Sequence, residues 1–118
     1  MRYMLLIYWD ERWHEKSVEE KGAIYQEAVE YSEGLRKRDM HEGGSPLEPT
    51  TTATTVRMKN GKAVMTDGPF AETKEQLGGY SIVKAKNLDE VLAIVAKHPL
   101  LRGGLSIEVR PIREGPPQ

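Results

Sequence analysis

Tyr3-Met4-Leu5-Leu6-Ile7-Tyr8-Trp9 is apolar without alternation. Such a run reads as a strand covered on both faces and central in its sheet. Helices of the same chain can cover one face. The other needs a second subunit, so the strand predicts a homodimer. A chain of 118 residues buries only a modest core, and small domains often add an oligomer interface.

Downstream, Asp10 to Lys16 reads as a charged loop. In it, Trp13 folds back on the core or lies at an interface, and His14 sits in water. Ser17-Val18-Glu19-Glu20 is a capping box. A helix follows, with Ile24, Ala28, Tyr31 and Leu35 as its apolar stripe and Tyr25 and Val29 widening it. It should fade near Arg38 to Met40, before Gly43-Gly44. Gly43 to Pro49 reads as irregular, and the threonines from Thr50 to Thr55 as a strand entrance. Asn60-Gly61 marks a two-residue hairpin turn. That turn sets Lys59 opposite Lys62, Met58 opposite Ala63, Arg57 opposite Val64 and Val56 opposite Met65. Val56, Met58, Ala63 and Met65 then share one face.

Tyr80 to Ala85 reads as a strand. Asn87-Leu88-Asp89-Glu90 opens a second helix whose stripe is Leu88, Val91, Leu92 and Val95; Lys97 and His98 close it and Pro99 stops it. Leu105 to Arg110 alternates as a half-buried strand with Leu105, Ile107 and Val109 inward. The order strand, helix, hairpin, strand, helix, strand predicts an α+β, ferredoxin-like sandwich. This is a βαββαβ plan in which the hairpin supplies an edge and one extra strand, with both helices on one sheet face. Residues 1–113 form one domain and 114–118 a flexible tail.

The connection from Asp67 to Tyr80, DGPFAETKEQLGGY, is longer than the usual roughly 4–6 residues and rich in functional groups, as binding loops are. The plainer reading is a turn in which Gly68 relieves Pro69 and Glu72, Lys74 and Glu75 are solvated.

Composition narrows the function. Seventeen basic against 18 acidic residues give net −1, without the basic excess of a nucleic-acid-binding surface. The chain has no cysteine, which excludes disulfides, thiolate catalysis and zinc–cysteine sites. No run approaches the ~20 apolar residues of a membrane span, and the start lacks a signal-peptide cleavage site. A cytoplasmic protein is expected. His14, His41 and His98 show no metal-ligand spacing, and Gly43-Gly44 and Gly78-Gly79 lack a phosphate-loop pattern. No cofactor is called for.

Met4 to Tyr8, Thr52 to Arg57, Thr66 through Tyr80 and Ile107 to Ile112 together resemble the YCII-related, DGPF-motif proteins. The resemblance spans nearly the whole chain. It implies a dimeric α+β barrel, in which two ferredoxin-like protomers pack sheet to sheet. The broader group carries a histidine–aspartate pair that has suggested an enzyme. The aspartate falls at Asp67, whereas the first helix here has no histidine where that group tends to have one, so His98 would complete the pair. Genes of this type often accompany sigma factors, which implies a regulatory role.

Two functions follow. The first is a small homodimeric protein that binds a small-molecule ligand, with a regulatory link to sigma-factor-controlled transcription. The second is a cofactor-free enzyme in which Asp67 is general base and His98 shuttles the proton. Arg57, Glu72, Lys74 and Tyr80 are the expected ligand-binding residues, Arg57 or Lys74 holding an anionic group. Read structurally, Asp67 is a turn acid accepting amides from Ala71 or Glu72, and His98 a helix-end cation.

Overall fold

The computed structural model describes residues 1–117. A strand β1, Arg2–Trp9, leads through a short helix α1, Glu11–His14, to the long helix α2, Val18–Lys37. Then come β2, His41–Pro46, the hairpin strands β3, Thr54–Lys59, and β4, Lys62–Asp67, and the long strand β5, Gln76–Lys84. Helices α3, Leu88–Val95, and α4, Pro99–Arg102, precede the last strand β6, Ser106–Pro111. The main sheet has four strands in the order β2-β5-β1-β6, antiparallel at every pairing. With the hairpin set aside, this is the βαββαβ ferredoxin-like sandwich.

The first strand is central, as its two-sided apolar character requires. Tyr3 and Leu5 point inward and are almost fully buried, against Val83, Leu35, Val91, Ile94 and Val95. Met4, Leu6 and Tyr8 alternate to the outer face, where they are half-buried. The outer-face Tyr8 hydroxyl donates to Glu108 at 3.2 Å, and Arg110 pairs with that carboxylate. Arg110 holds the Glu108 carboxyl below its ordinary range, while desolvation and then Glu108 push the Tyr8 phenol up.

The capping serine acts as expected: Ser17 Oγ accepts the Glu20 amide at 3.1 Å. The α2 stripe Ile24, Ala28, Tyr31 and Leu35 faces the protein, with Leu35 buried. The hairpin register is the predicted one at all four pairs from Lys59↔Lys62 to Val56↔Met65. Asn60 and Gly61 have φ of 52° and 78°, which makes the turn type I′.

Several local expectations are corrected. The stretch around Gly43-Gly44 is not irregular; it is the edge strand β2, paired with β5. A Cβ on Gly44 would lie 2.4 Å from the Tyr80 carbonyl oxygen, so glycine permits the close pairing that a β-branched residue would block. The hairpin therefore joins neither edge of the main sheet and forms a two-stranded sheet of its own. Asp10 to Lys16 is not all loop: Asp10 caps α1, accepting the Arg12 amide at 2.9 Å and pairing with its guanidinium at 3.0 Å. That guanidinium holds the Asp10 carboxyl below its usual range.

The second helix buries Val91, Ile94 and Val95, and leaves Leu88 and Leu92 about half exposed. It ends at Val95, and His98 begins a new helix as N-cap, with Pro99 at its first position. Strand β5 starts at Gln76, ahead of the Gly-Gly pair, and a bulge falls where Ile7↔Gly79 gives way to Tyr8↔Leu77. Of the expected tail, Glu114 reaches back to Arg2 at 3.1 Å, and Gln118 lies outside the described residues. Among the described residues, no helix is long and apolar enough to cross a membrane.

Candidate functional site

The inner sheet face is only partly filled. Near the bulge, Gly78 and Gly79 offer no side chains, and the neighbouring groups leave a cleft of about 250 Å³. Its floor is Ile7, Gly78, Gly79 and Ser81; Tyr25, Ala28 and Val29 of α2 form one wall. Trp9 and Trp13 close one end, and His98, Leu100 and Leu105 another side. Sequence decides this geometry twice. A Cβ on Gly78 would fall 2.6 Å from Trp9 Cδ2, so the indole lies flat on bare backbone. The short helix α1 then brings Trp13 parallel to Trp9, with centroids 6.5 Å apart and planes 11° from parallel.

The polar groups of the cleft include both donors and acceptors, among them Trp9, Glu33, Arg36, His41, Ser81 and His98. Trp9 Nε1–H is buried with no hydrogen-bond partner among the described residues. His98 is buried, and its Nδ1 accepts the Leu100 amide at 3.2 Å. The proton of the neutral ring therefore sits on Nε2. Burial lowers the His98 pKa to about 4, so the imidazole is uncharged at neutral pH. Its ring packs on Tyr31 at 4.9 Å, and the Tyr31 hydroxyl donates to the Ile94 carbonyl. At the polar rim, Arg36 pairs with Glu33 and approaches His41 Nδ1 at 3.4 Å. An arginine can only donate, so that nitrogen accepts. Burial, then Arg36, pushes the His41 pKa down.

Of the residues singled out in the sequence, His98 lines this cleft and Tyr80 borders it. The register of Tyr80 opposite Leu6 sets its side chain on the outer sheet face. Asp67 is elsewhere. It ends β4 opposite Thr54, in the hairpin sheet, and is exposed. It is not part of the cleft wall, and among the described residues its carboxylate has no hydrogen-bond partner, neither Ala71 nor Glu72. The chain therefore does not bring Asp67 and His98 together in this cleft. The expectation of His98 as a helix-end cation is overturned by its burial and lowered pKa.

Arg57 and Glu72 are exposed and also lie outside the cleft wall. Arg57 holds the DGPF loop: its guanidinium sits 5.2 Å over the Phe70 ring and donates to the Phe70 carbonyl at 3.2 Å. Lys74 lies in a separate, open polar recess with Asp10, Arg12 and Glu75. Sequence reasoning missed Trp9, Trp13, Tyr25, Arg36 and His41 as cleft residues. The available signal was Tyr25 and Val29, apolar positions surplus to the stripe that α2 spends on the core. Among the described residues, no group of three or more acidic or histidine side chains converges as a metal site.

Fold and cleft define a small α+β sandwich protein with an aromatic-walled inner pocket. Residues 1–115 match the YCII-related domain, and the chain belongs to that family. An uncharacterized protein, R00369 of Rhizobium meliloti (strain 1021), is 52% identical over 46 residues, 39% of this chain and 37% of that protein. The match thus spans little more than a third of that relative. Among solved structures, the chain is similar to 5-chloro-2-hydroxyhydroquinone dehydrochlorinase from Burkholderia phenoliruptrix AC1100, in complex with 2,5-dihydroxybenzoquinone. The TM-score is 0.54 at 22% identity, over 98% of this chain and 96% of that one. At that identity the likeness establishes the shared fold.

Proposed function

We propose that this protein is a homodimer, joined through the outer sheet face, that binds a small planar ligand in the inner cleft. The observation that carries the ligand reading is the pairing of flat aromatic walls with one buried, unpartnered donor, Trp9 Nε1–H. Trp9, Trp13 and Tyr25 offer apolar surface, while Trp9 Nε1–H lacks an acceptor and His98 Nε2–H has none among its described contacts. A buried donor left unsatisfied costs about 1–3 kcal/mol, which an acceptor oxygen on a ligand would recover. The ligand class is therefore an aromatic or quinonoid ring with oxygens at its rim. The dehydrochlorinase of the same fold holds 2,5-dihydroxybenzoquinone, a molecule of that class. The dimer reading rests on Met4, Leu6, Tyr8 and Tyr80, apolar side chains that the protomer leaves partly open on the outer face. A regulatory role linked to sigma-factor-controlled transcription rests on the family likeness alone.

The chain's two tryptophans both line the cleft, so intrinsic fluorescence reports on it without labelling. Titration with phenols, aromatic carboxylates and hydroxyquinones should give saturable quenching by at least one class. His98→Gln should weaken that binding, and Asp67→Asn should leave it unchanged. Absence of saturable quenching across all three classes would refute the ligand reading. The enzymatic alternative draws on one feature, a neutral histidine in an apolar cleft, which can give or take a proton. It requires turnover of a bound compound that His98→Asn abolishes.

A further inference from the structure

The walls of the cleft differ in how firmly they are held. The α2 wall belongs to a 20-residue helix whose Leu35 is buried in the core. On the His98 side, α4 is tied to α2 by the Arg102–Glu27 pair at 2.7 Å, and Ile24 lies against Gly103. The Trp13 wall has no such ties. Helix α1 is one turn long and buries none of its residues. Among the described residues, the hydrogen bonds and ion pairs of residues 10–16 all close within that segment. A single turn does not hold its shape alone in water, so two other contacts place it. One is aromatic: Trp13 stacks beside Trp9, and the His14 ring meets Trp9 edge-on at 5.3 Å. The other is charge. Lys74 of the DGPF loop shares the polar recess with the Asp10, Glu11 and Glu15 carboxylates. There Arg12 is already committed to Asp10, and Glu75 accepts from Ser106 Oγ at 3.0 Å. Lys74 is close enough to add to the lowering of the Asp10 carboxyl, after Arg12.

We propose that α1 is a lid over the Trp9 end of the cleft, seated by Trp13 and latched by Lys74 of the DGPF loop. As a gate for ligand it rests on the reading of the cleft as a binding site. Opening uncovers the Trp9 indole, and with it the unpartnered Nε1–H that a ligand oxygen would take. The three hydrogen bonds between Asp10 and Arg12 hold the turn together as it moves. A ring that touches both tryptophans gains contact only with α1 in place, so binding favours the closed lid. The latch gives Lys74 a task that its distance from the cleft wall otherwise leaves unexplained. Its pull crosses an open recess and is screened by salt.

Hydrogen exchange of the ligand-free chain, followed by NMR, tests the lid. The chain has two indole N–H groups, and Trp13→Phe assigns them. Trp9 Nε1–H and the Glu15 amide, which donates to the Glu11 carbonyl at 2.9 Å, should share one opening. Their protection should lie at least about 100-fold below that of the Val83 amide. Lys74→Glu, at an exposed position, should lower both by about threefold or more and leave Val83 unchanged. Trp9 Nε1–H protected to the level of Val83 would overturn the lid, whether or not a ligand binds. Equal protection in the Lys74→Glu chain would overturn the latch. The probe for gating is 2,5-dihydroxybenzoquinone. At ten times its dissociation constant it should raise the protection of Trp9 Nε1–H and of the Glu15 amide together by about tenfold. Protection of the indole alone would mean that the ring binds without closing α1, and would overturn the gate. A freely opening α1 in a chain that binds neither the quinone nor the other classes above would strike the ligand reading and not the lid.

Discussion

Replacing His98 with asparagine should flatten the acid side of the stability profile. The side chain has two jobs in the structure. Its Nδ1 caps α4 by accepting the Leu100 amide at 3.2 Å, and its ring fills a buried position against Tyr31. Burial holds its pKa near about 4, against an ordinary 6.5. As pH falls through 6.5 the unfolded imidazole takes up a proton while the folded one does not, so protons draw the equilibrium towards the unfolded chain. The stabilising effect is complete above pH 6.5, declines between 6.5 and 4, and is gone below about 4. The full difference, about 2.5 pKa units, corresponds to about 3 kcal/mol, with a slope near 1.2 kcal/mol per pH unit around pH 5. His98→Asn keeps a cap acceptor and removes the titration. Urea unfolding at fixed protein concentration, at pH 7.0, 5.5 and 4.5, measures both chains. Asp10, Glu108 and the other carboxylates titrate alike in the two and cancel in the difference. The wild type should lose about 2–3 kcal/mol relative to the variant between pH 7 and 4.5. Parallel profiles would show that His98 is not buried uncharged and would refute the reasoning.

Three further outcomes are expected. Gly78→Ala places a methyl 2.6 Å from Trp9 Cδ2, so it should cost about 1–3 kcal/mol as overpacking and shift the tryptophan emission; an unchanged melt and spectrum would mean the indole does not rest there. Asp67→Asn, at an exposed carboxylate without a described partner, should change stability by less than about 0.5 kcal/mol in thermal melts. Gly61→Val forces a β-branched side chain to φ 78°; it should cost the hairpin about 1 kcal/mol or more, read as faster hydrogen exchange at Arg57 and Val64, a hydrogen-bonded pair of the ribbon, while Val83 keeps its protection.

What could be read from the chain divides by the kind of interaction that fixes it. The hairpin register, the α2 stripe and the expected N-caps, Ser17 accepting the Glu20 amide and Asn87 accepting the Glu90 amide at 3.0 Å, are set by contacts within a few residues, and sequence spacing reports those directly. The central place of Tyr3 to Trp9 was legible because two-sided burial leaves its mark on composition. Strand β2 was not, because Gly43 and Gly44 are selected by the backbone of Tyr80 across the sheet and carry no β-like side chains of their own. His98 was misread for a related reason: its neighbours in sequence, Lys97 and Pro99, suggest a solvated helix end, whereas its neighbours in space are Tyr31 and the cleft. The DGPF loop drew attention through its density of charge. Yet its Asp67 lies in the hairpin, and the cleft is made by Trp9, Trp13 and Tyr25, residues that in sequence look like ordinary core.

The placement of the hairpin also bears on how such a chain could change length over time. Strands β2 and β5 are neighbours in the sheet, antiparallel, and joined at their adjacent ends. Everything from Leu47 to Glu75 is a detour between two strands that already pair. A tight turn could replace it without rerouting the sheet, and the closure entropy would change by only about 2 kcal/mol, because that cost grows with the logarithm of loop length. The junction is thus a place where whole segments can be gained, trimmed or exchanged between relatives while Tyr3, Leu5, Val83 and Val91 keep the same neighbours. Grafting of foreign peptides would be tolerated there for the same topological reason.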